Sequence, residues 1–145
     1  MTAVTTRRKR SVEELRALAE EGARVLGEAS ADEVVAWAAR TFPGTLGVAS
    51  SMENAALPHL VSQHAPGVDV LFLDTGYHFA ETLGARDEVD FSLDVTVRSI
   101  LPKLSVAEQD EQYGPRLHDR DPGACCRMRK VEPLQEALGG YEVWF

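Results

Sequence analysis

The sequence predicts a single α/β domain built on a parallel sheet. Apolar runs at Leu46–Ala49 and Val68–Leu73 are too short for helices and do not alternate, which is typical of buried parallel strands. Stretches with helical spacing follow each run, and Pro-Gly pairs at 43–44 and 66–67 interrupt the chain just before each strand. This strand–helix–strand order predicts right-handed crossovers with helices on the faces of the sheet.

The remaining elements follow in order along the chain. Residues 1–10 carry a basic run and predict a flexible tail, so the domain is expected to span residues 11–145. Capping boxes place helix starts at Ser11, Ser30 and Ser105, each with a glutamate three positions later. Further helices are expected at residues 54–63, 80–89 and 125–138, further strands at 93–97 and 141–145, and a loop at 113–124.

Composition excludes several functional classes. The 145 residues carry a net charge of −8, which disfavours nonspecific binding to nucleic acid or to an anionic membrane surface. No stretch approaches the roughly 18 consecutive apolar residues that span a bilayer. We therefore expect a cytoplasmic protein without membrane or nucleic-acid partners, and the sequence leaves a homo-oligomer open. Glu108, Asp110 and Glu111 are expected to form a solvated helix surface.

Two polar loops are expected to meet at the carboxyl edge of the sheet, where such sheets bind ligands. Ser50 and Ser51 lie between the first strand and a helix, which suits a phosphate or sulfate group, although an ordinary serine-capped turn is the alternative. Asp74, Thr75 and Gly76 follow the second strand and permit close backbone approach, or form a simple turn. Three rings could form a wall for an aromatic base: Tyr77, His78 and Phe79.

The two cysteines are adjacent, at Cys125 and Cys126. Neighbouring Cα atoms are too close for a relaxed disulfide, so the thiols are either free core residues or ligands. Soft thiolates suit an iron–sulfur cluster or zinc, and three basic residues follow within one turn. Two cysteines cannot complete a four-cysteine site, and small buried hydrophobic residues are the alternative reading.

Three stretches together resemble the sulfonucleotide reductases, and in particular the adenylyl-sulfate reductases. They read GVASSMENAALPHL at residues 47–60, VLFLDTGYHFAETLGARDE at 70–88 and CCRMRKVEPL at 125–134. The resemblance covers roughly residue 12 to the end. It implies an adenine nucleotide α-hydrolase-like fold, akin to the ATP pyrophosphatases, here with N-terminal helices and truncated at its C-terminus.

The resemblance also implies a role for each candidate residue. The loop at Ser50 and Ser51 would hold the phosphosulfate, and Lys130, with Arg129 nearby, would stabilise the charge of the sulfate. Cys125 and Cys126 would supply two of the four ligands of a [4Fe–4S] cluster. The residues that would help to hold adenosine are Leu73, Asp74, Thr75 and Gly76.

The implied reaction is the thioredoxin-dependent reduction of adenylyl sulfate to sulfite and AMP. Members of the family continue beyond the equivalent of Phe145 with a basic stretch, a CxxC pair and a nucleophilic cysteine, so we expect the 145-residue polypeptide alone to be inactive. Two alternatives stay open. One is an ATP pyrophosphatase-type nucleotidyl transferase, although the SGGxDS pattern is missing, and the other is a noncatalytic nucleotide- or metal-binding module.

Overall fold

A computed structural model describes residues 9–145, and the elements come in the expected alternating order. The helices are α1 (Val12–Val25), α2 (Ala31–Thr41), α3 (Ala56–His64), α4 (Ala80–Ser92), α5 (Val106–Tyr113), α6 (Leu117–Arg120), α7 (Pro122–Cys126) and α8 (Glu132–Leu138), with a π-helical turn at Arg127–Val131 between the last two. The strands are β1 (Leu46–Ala49), β2 (Val68–Leu73), β3 (Val95–Ile100) and β4 (Val143–Trp144).

The sheet confirms the predicted α/β class. Its strand order is β3-β2-β1-β4, and every neighbouring pair runs parallel. Val48 pairs with Val70 and Val70 with Val97, so the two central strands lie in register. Parallel strands of this kind are covered by helices on both faces. The carboxyl ends of β1 and β2 consequently lie side by side, and the loops that follow them meet.

Apolar side chains on one face of the sheet form the main core. Val48, Val70 and Phe72 are fully buried on the central strands. Helices α2 and α3 cover them, and Trp37 and Leu60 pack at the margin. The other buried members of this cluster are Val35, Ala38, Phe42, Leu46, Met52, Val61, Val68 and Val89. This core holds β1 and β2 in place, and therefore also the first residues of the loops that follow them.

Most helix starts are confirmed by their caps. Ser11, Ser30 and Ser105 each accept a hydrogen bond from the N3 backbone, and the N3 glutamate returns the bond. Pro58 lies in the first turn of α3, where its missing N–H breaks no intrahelical bond. None of the helices within residues 9–145 is long and apolar enough to cross a bilayer.

Several predicted boundaries were wrong. Strand β3 begins at Val95 rather than 93 and continues to Ile100, because it pairs with the whole of β2. The predicted loop at 113–124 contains α6 and the start of α7. Asp121 caps α7 by accepting from the N–H of Ala124 at 3.0 Å, and Pro122 takes the first helical position, where a proline is favoured. The sequence signals for this helix start were therefore present.

The basic N-terminal segment is bound to the domain where it is described. Residues 1–8 of the predicted flexible tail lie outside the described residues. Arg10 donates from its backbone N–H and from Nη1 to the carboxylate of Glu142, at 2.9 and 2.8 Å. Lys9 Nζ donates to the carbonyl of Gly139 at 2.9 Å. Lys9 and Arg10, the described end of this segment, are therefore hydrogen-bonded to the domain, and Glu142 before β4 supplies the counter-charge of Arg10.

Candidate functional site

The loops after β1 and β2 form one wall of a cleft at the carboxyl edge of the sheet. The backbone N–H of Ser50 donates to the carbonyl of Leu71 at 3.0 Å and ties the two strand ends together. The cleft has a volume of about 250 Å³. Its lining residues are Ala49, Ser50, Ser51, Leu71, Leu73, Thr75, His78 and Lys130. The two predicted loops thus meet as expected.

The first loop offers serine hydroxyl groups to a ligand, whereas the N-terminus of α3 offers few backbone N–H groups. Ser50 Oγ accepts from the N–H of Met52 at 3.2 Å, while Ser51 is exposed. The first turn of α3 offers few donors, because Ala56 donates to Asn54 Oδ1 at 3.0 Å and Pro58 has no N–H. The helix end therefore has fewer N–H donors for an anion than expected, and the serine side chains remain as candidate donors.

The second loop is a tight turn held by its own side chains. Asp74 Oδ1 accepts from the N–H of Gly76 at 3.2 Å, and Thr75 Oγ1 accepts from the N–H of Tyr77 at 3.3 Å. Gly76 has φ +81°, and an added Cβ would lie 3.1 Å from Arg129 Nη2. A glycine is required here for both reasons. Asp74 shapes the turn and does not cap α4.

Two of the three predicted ring side chains line the site. His78 donates from Nε2 to the carbonyl of Leu73 at 2.7 Å, since a carbonyl can only accept, and its ring lies 4.8 Å from that of Phe72. Tyr77 is 42% exposed and lines a second cleft. Phe79 is 78% exposed and lines neither cleft. The predicted ring wall therefore reduces to Tyr77 and His78.

The cysteines lie in an interrupted helix rather than at a helix start. Cys125 and Cys126 end α7, and the π-helical turn follows, in which the N–H of Glu132 donates to the carbonyl of Arg127, five residues back. Pro133 explains the interruption. It has no N–H for the carbonyl of residue 129, and its ring excludes the ordinary α-helical position of that carbonyl. Pi-helical turns of this kind are frequent at functional sites.

The cysteine pair lines a second cleft of about 460 Å³ that adjoins the first. Cys125 is 6% exposed, and Cys126 is exposed. Two soft donors on one wall fit two ligands of an iron–sulfur cluster. Within residues 9–145 no group of three or more His, Cys, Asp or Glu side chains could hold a metal ion. The remaining ligands of such a cluster would have to come from outside this stretch.

Lys130 lines both clefts. Thr75 and His78 are the other residues shared by the two. Lys130 is exposed, and among residues 9–145 no ion pair involves its ammonium group. An unpaired cation between two adjoining clefts can neutralise negative charge in either of them.

Arg129 lines the second cleft together with Lys130, but its guanidinium is engaged within the domain. It is 3% exposed, and its guanidinium donates to the carbonyl of Thr75, to the carbonyl of Leu104 at 3.1 Å and to Gln109 Oε1 at 3.0 Å. The guanidinium carbon also lies 5.5 Å from the centre of the Tyr77 ring. Arg129 therefore joins the β2–α4 loop, the β3–α5 loop and α5, while Lys130 remains free to face a ligand.

Sequence reasoning missed one buried polar group at this site. Gln109 is 1% exposed and contacts both Arg129 and Cys125. Its neighbour Asp110, expected on a solvated surface, has a buried Oδ1 without a hydrogen-bond partner in the described chain. Helical spacing carried the missing signal, because Val106, Gln109 and Tyr113 fall on one side of α5.

A parallel α/β sheet with two polar loops at its carboxyl edge is the arrangement that the adenine nucleotide α-hydrolase-like fold requires. Residues 45–145 match the phosphoadenosine phosphosulfate reductase domain, and the chain belongs to that family. The chain is 56% identical over 144 residues to an adenosine 5′-phosphosulfate reductase of Streptomyces coelicolor and 54% identical over 144 residues to one of Mycolicibacterium smegmatis. Each alignment covers 99% of this chain and 60% of the relative.

A solved structure shares the fold. The phosphoadenylyl-sulfate reductase of Candida auris, determined as a phosphate complex, superimposes with a TM-score of 0.67 at 26% identity. The alignment covers 94% of this chain and 68% of that one. The resemblance and the fold class expected from the sequence are thereby confirmed. The chain spans about 60% of the length of the curated relatives it matches.

Proposed function

We propose that this chain is the sulfonucleotide-binding part of an adenylyl-sulfate reductase of assimilatory sulfate reduction, acting in the cytoplasm. Three relatives at 56%, 54% and 52% identity are named adenosine 5′-phosphosulfate reductases, which supports the adenylyl form of the substrate. The nucleotide would lie in the cleft after β1 and β2. Ser50 and Ser51 would donate to the phosphosulfate, and the turn at residues 73–76 would hold the adenosine.

The position of Lys130 carries this proposal. It lines both the cleft with the serine loop and the cleft with Cys125 and Cys126. A sulfate that extends from a nucleotide in the first cleft toward the second would meet the Lys130 ammonium. Lys130 would neutralise the negative charge of the sulfate there. Its stabilising effect would increase in the transition state, because negative charge develops on the departing phosphate.

The proposed reaction is a transfer of the sulfonyl group to a cysteine, followed by the reductive release of sulfite. A cysteine thiolate attacks the sulfur of adenylyl sulfate, the sulfur–oxygen bond to the phosphate breaks, and AMP leaves with the bonding electron pair. One thiolate of thioredoxin then attacks the cysteine sulfur of the enzyme thiosulfonate, so that sulfite leaves with the bonding electron pair and a mixed disulfide forms. The second thiol of thioredoxin displaces the enzyme cysteine as a thiol, and thioredoxin leaves as the disulfide. Cys125 and Cys126 would instead be two of the four ligands of a [4Fe–4S] cluster, which would supply a fixed charge beside the sulfate. The attacking cysteine would therefore come from another segment of polypeptide, and nucleotide binding is the activity to test on these 145 residues.

Replacing Lys130 by alanine is expected to weaken binding of adenylyl sulfate by about tenfold or more, since hydrogen bonds to charged groups contribute about 1.5–3 kcal/mol. AMP lacks the sulfate and should lose less affinity. Isothermal titration calorimetry of both nucleotides measures the two changes, with K130R expected to restore part of the affinity.

Lys103 provides the matched control, because it is exposed and lines neither cleft. K103A should bind both nucleotides as the wild type does. An equal loss for AMP and adenylyl sulfate in K130A would contradict the placement of the sulfate at Lys130. Preferential binding of ATP with release of pyrophosphate would favour a nucleotidyl transferase instead.

A further inference from the structure

Gln109 is a buried carboxamide between the arginine network and the cysteine pair. It lies in α5, an element that contributes no residue to the lining of either cleft described above. Its Oε1 accepts from Arg129 Nη1 at 3.0 Å, and its Nε2 lies 3.8 Å from Cys125 Sγ. Both contacts are buried, so the carboxamide depends on these two partners for its hydrogen bonds.

The orientation of this carboxamide is fixed by chemistry. A guanidinium group only donates hydrogen bonds, so the oxygen of Gln109 must face Arg129. The amide nitrogen then faces Cys125, and its N–H groups can only donate. Arg129 is itself held by the carbonyls of Thr75 and Leu104, which prevents the pair from turning over. The network therefore directs an N–H donor at one of the two cysteine sulfurs.

The cation that Gln109 joins to Cys125 already has its own partners. The Arg129 guanidinium is hydrogen-bonded to the carbonyls of Thr75 and Leu104 and to Gln109. A negatively charged sulfur at Cys125 has the Gln109 carboxamide as its direct side-chain donor.

We propose that Gln109 is a positioning residue that holds Cys125 as a metal-binding thiolate. It donates a hydrogen bond to the Cys125 sulfur, whereas within residues 9–145 no side-chain donor contacts the sulfur of exposed Cys126. Hydrogen bonds to a charged acceptor are shorter and stronger than neutral ones, so this contact gains strength when the sulfur is ionised. The proposal rests on the assignment of Cys125 as a metal ligand.

Replacing Gln109 by glutamate separates this role from a structural one. Q109E keeps an oxygen acceptor for Arg129 and substitutes an oxygen for the N–H donor that faces the sulfur. Gln112, exposed on the same helix, gives the control Q112E with the same change of charge. Cadmium(II) is the probe: it displaces two thiol protons to the buffer, and the thiolate–cadmium absorption band in the ultraviolet reports binding.

Q109E is expected to bind cadmium at least tenfold more weakly than the wild-type chain and Q112E, in line with other outer ligand partners. Its midpoint of thermal unfolding should stay close to that of the wild type, because the Arg129 contact survives. If Q109E does not fold, Q109M should show the same cadmium loss. Wild-type cadmium affinity in the folded Gln109 variant would overturn the proposal.

Cysteine variants distinguish a wrong role for Gln109 from a wrong assignment of the cysteines as metal ligands in the proposed function. C125S and C126S should each diminish the cadmium band of the wild-type chain. A band that is unchanged in both would overturn the ligand assignment, and the role of Gln109 with it. Nucleotide binding at Lys130 is measured without metal, so the substrate part of the proposed function is tested independently.

Discussion

Replacing Arg129 by methionine is expected to lower the free energy of unfolding by about 3–5 kcal/mol. The change leaves three acceptors without this donor: the buried carbonyl of Thr75, the buried Oε1 of Gln109 and the partly buried carbonyl of Leu104. Each unsatisfied buried group costs about 1–3 kcal/mol, and partial relaxation makes the sum smaller than additive. Urea unfolding at neutral pH, followed by circular dichroism, measures this difference.

Arg127 offers a control two residues away in the same π-helical turn. Its side chain is 62% exposed and faces Glu132 across 3.3 Å, so R127M should change stability by no more than about 0.5–1 kcal/mol. R129K should remain strongly destabilised, because a lysine cannot reproduce the fork of donors. An R129M chain as stable as R127M would show that the three acceptors find water or other partners.

Replacing Glu142 by glutamine is expected to cost about 2–4 kcal/mol of stability at neutral pH, near the range for breaking a buried ion pair. The Glu142 side chain is 5% exposed and accepts from the backbone and guanidinium of Arg10 and from Thr45 Oγ1 at 2.9 Å. Burial raises the pKa of this carboxyl, but the Arg10 and Thr45 hydrogen bonds and the Arg10 charge outweigh it and hold the pKa below its usual value.

The sign of the pH dependence follows from that lowered pKa. The contribution is fully present above the pKa of glutamate in the unfolded chain, about 4.3, and is lost as pH falls from there through the lower folded pKa. The stability gap between the wild type and E142Q should therefore be constant from pH 6 to 8 and narrow below pH 4.

E136Q is the control for this pair, since Glu136 is exposed on α8 and its neutralisation should change stability by no more than about 0.5 kcal/mol. Urea titrations at pH 7, 5 and 3.5 provide the comparison. A gap between the wild type and E142Q that widens in acid would show that the buried carboxyl is protonated in the native chain.

The strands that build the sheet were predictable because their signals are local. Leu46–Ala49 and Val68–Leu73 match the observed β1 and β2 residue for residue. The three capping boxes also formed, since each depends on two residues within one turn. Strand β4 was placed correctly but is only two residues long, because its pairing depends on β1 rather than on its own sequence.

The site was predictable in its loops and less so in its interior. Serine, threonine and glycine after a strand predict a ligand-facing turn. The structure brings the loops after β1 and β2 to one cleft. The distinction between adjacent Arg129 and Lys130 depends on the π-helical turn, which arises from Pro133 and from contacts far apart in sequence. Gln109 joins Cys125 across 16 residues, and no helical or strand period links such positions.

The π-helical turn also determines how α7 is rotated about the helix axis relative to α8. Its bond from Glu132 to Arg127 accommodates one residue more than an α-helical turn, and one residue corresponds to about 100° around a helix axis. The half that follows is anchored by buried Pro133, while the half that precedes it carries the two thiols. The extra residue therefore sets the rotation of α7, which carries the two sulfur atoms, relative to α8, which is held by Pro133. Removing one residue from Arg127–Val131 is expected to rotate the thiols by about 100° relative to Pro133, and therefore away from the cleft, while the strands keep their length.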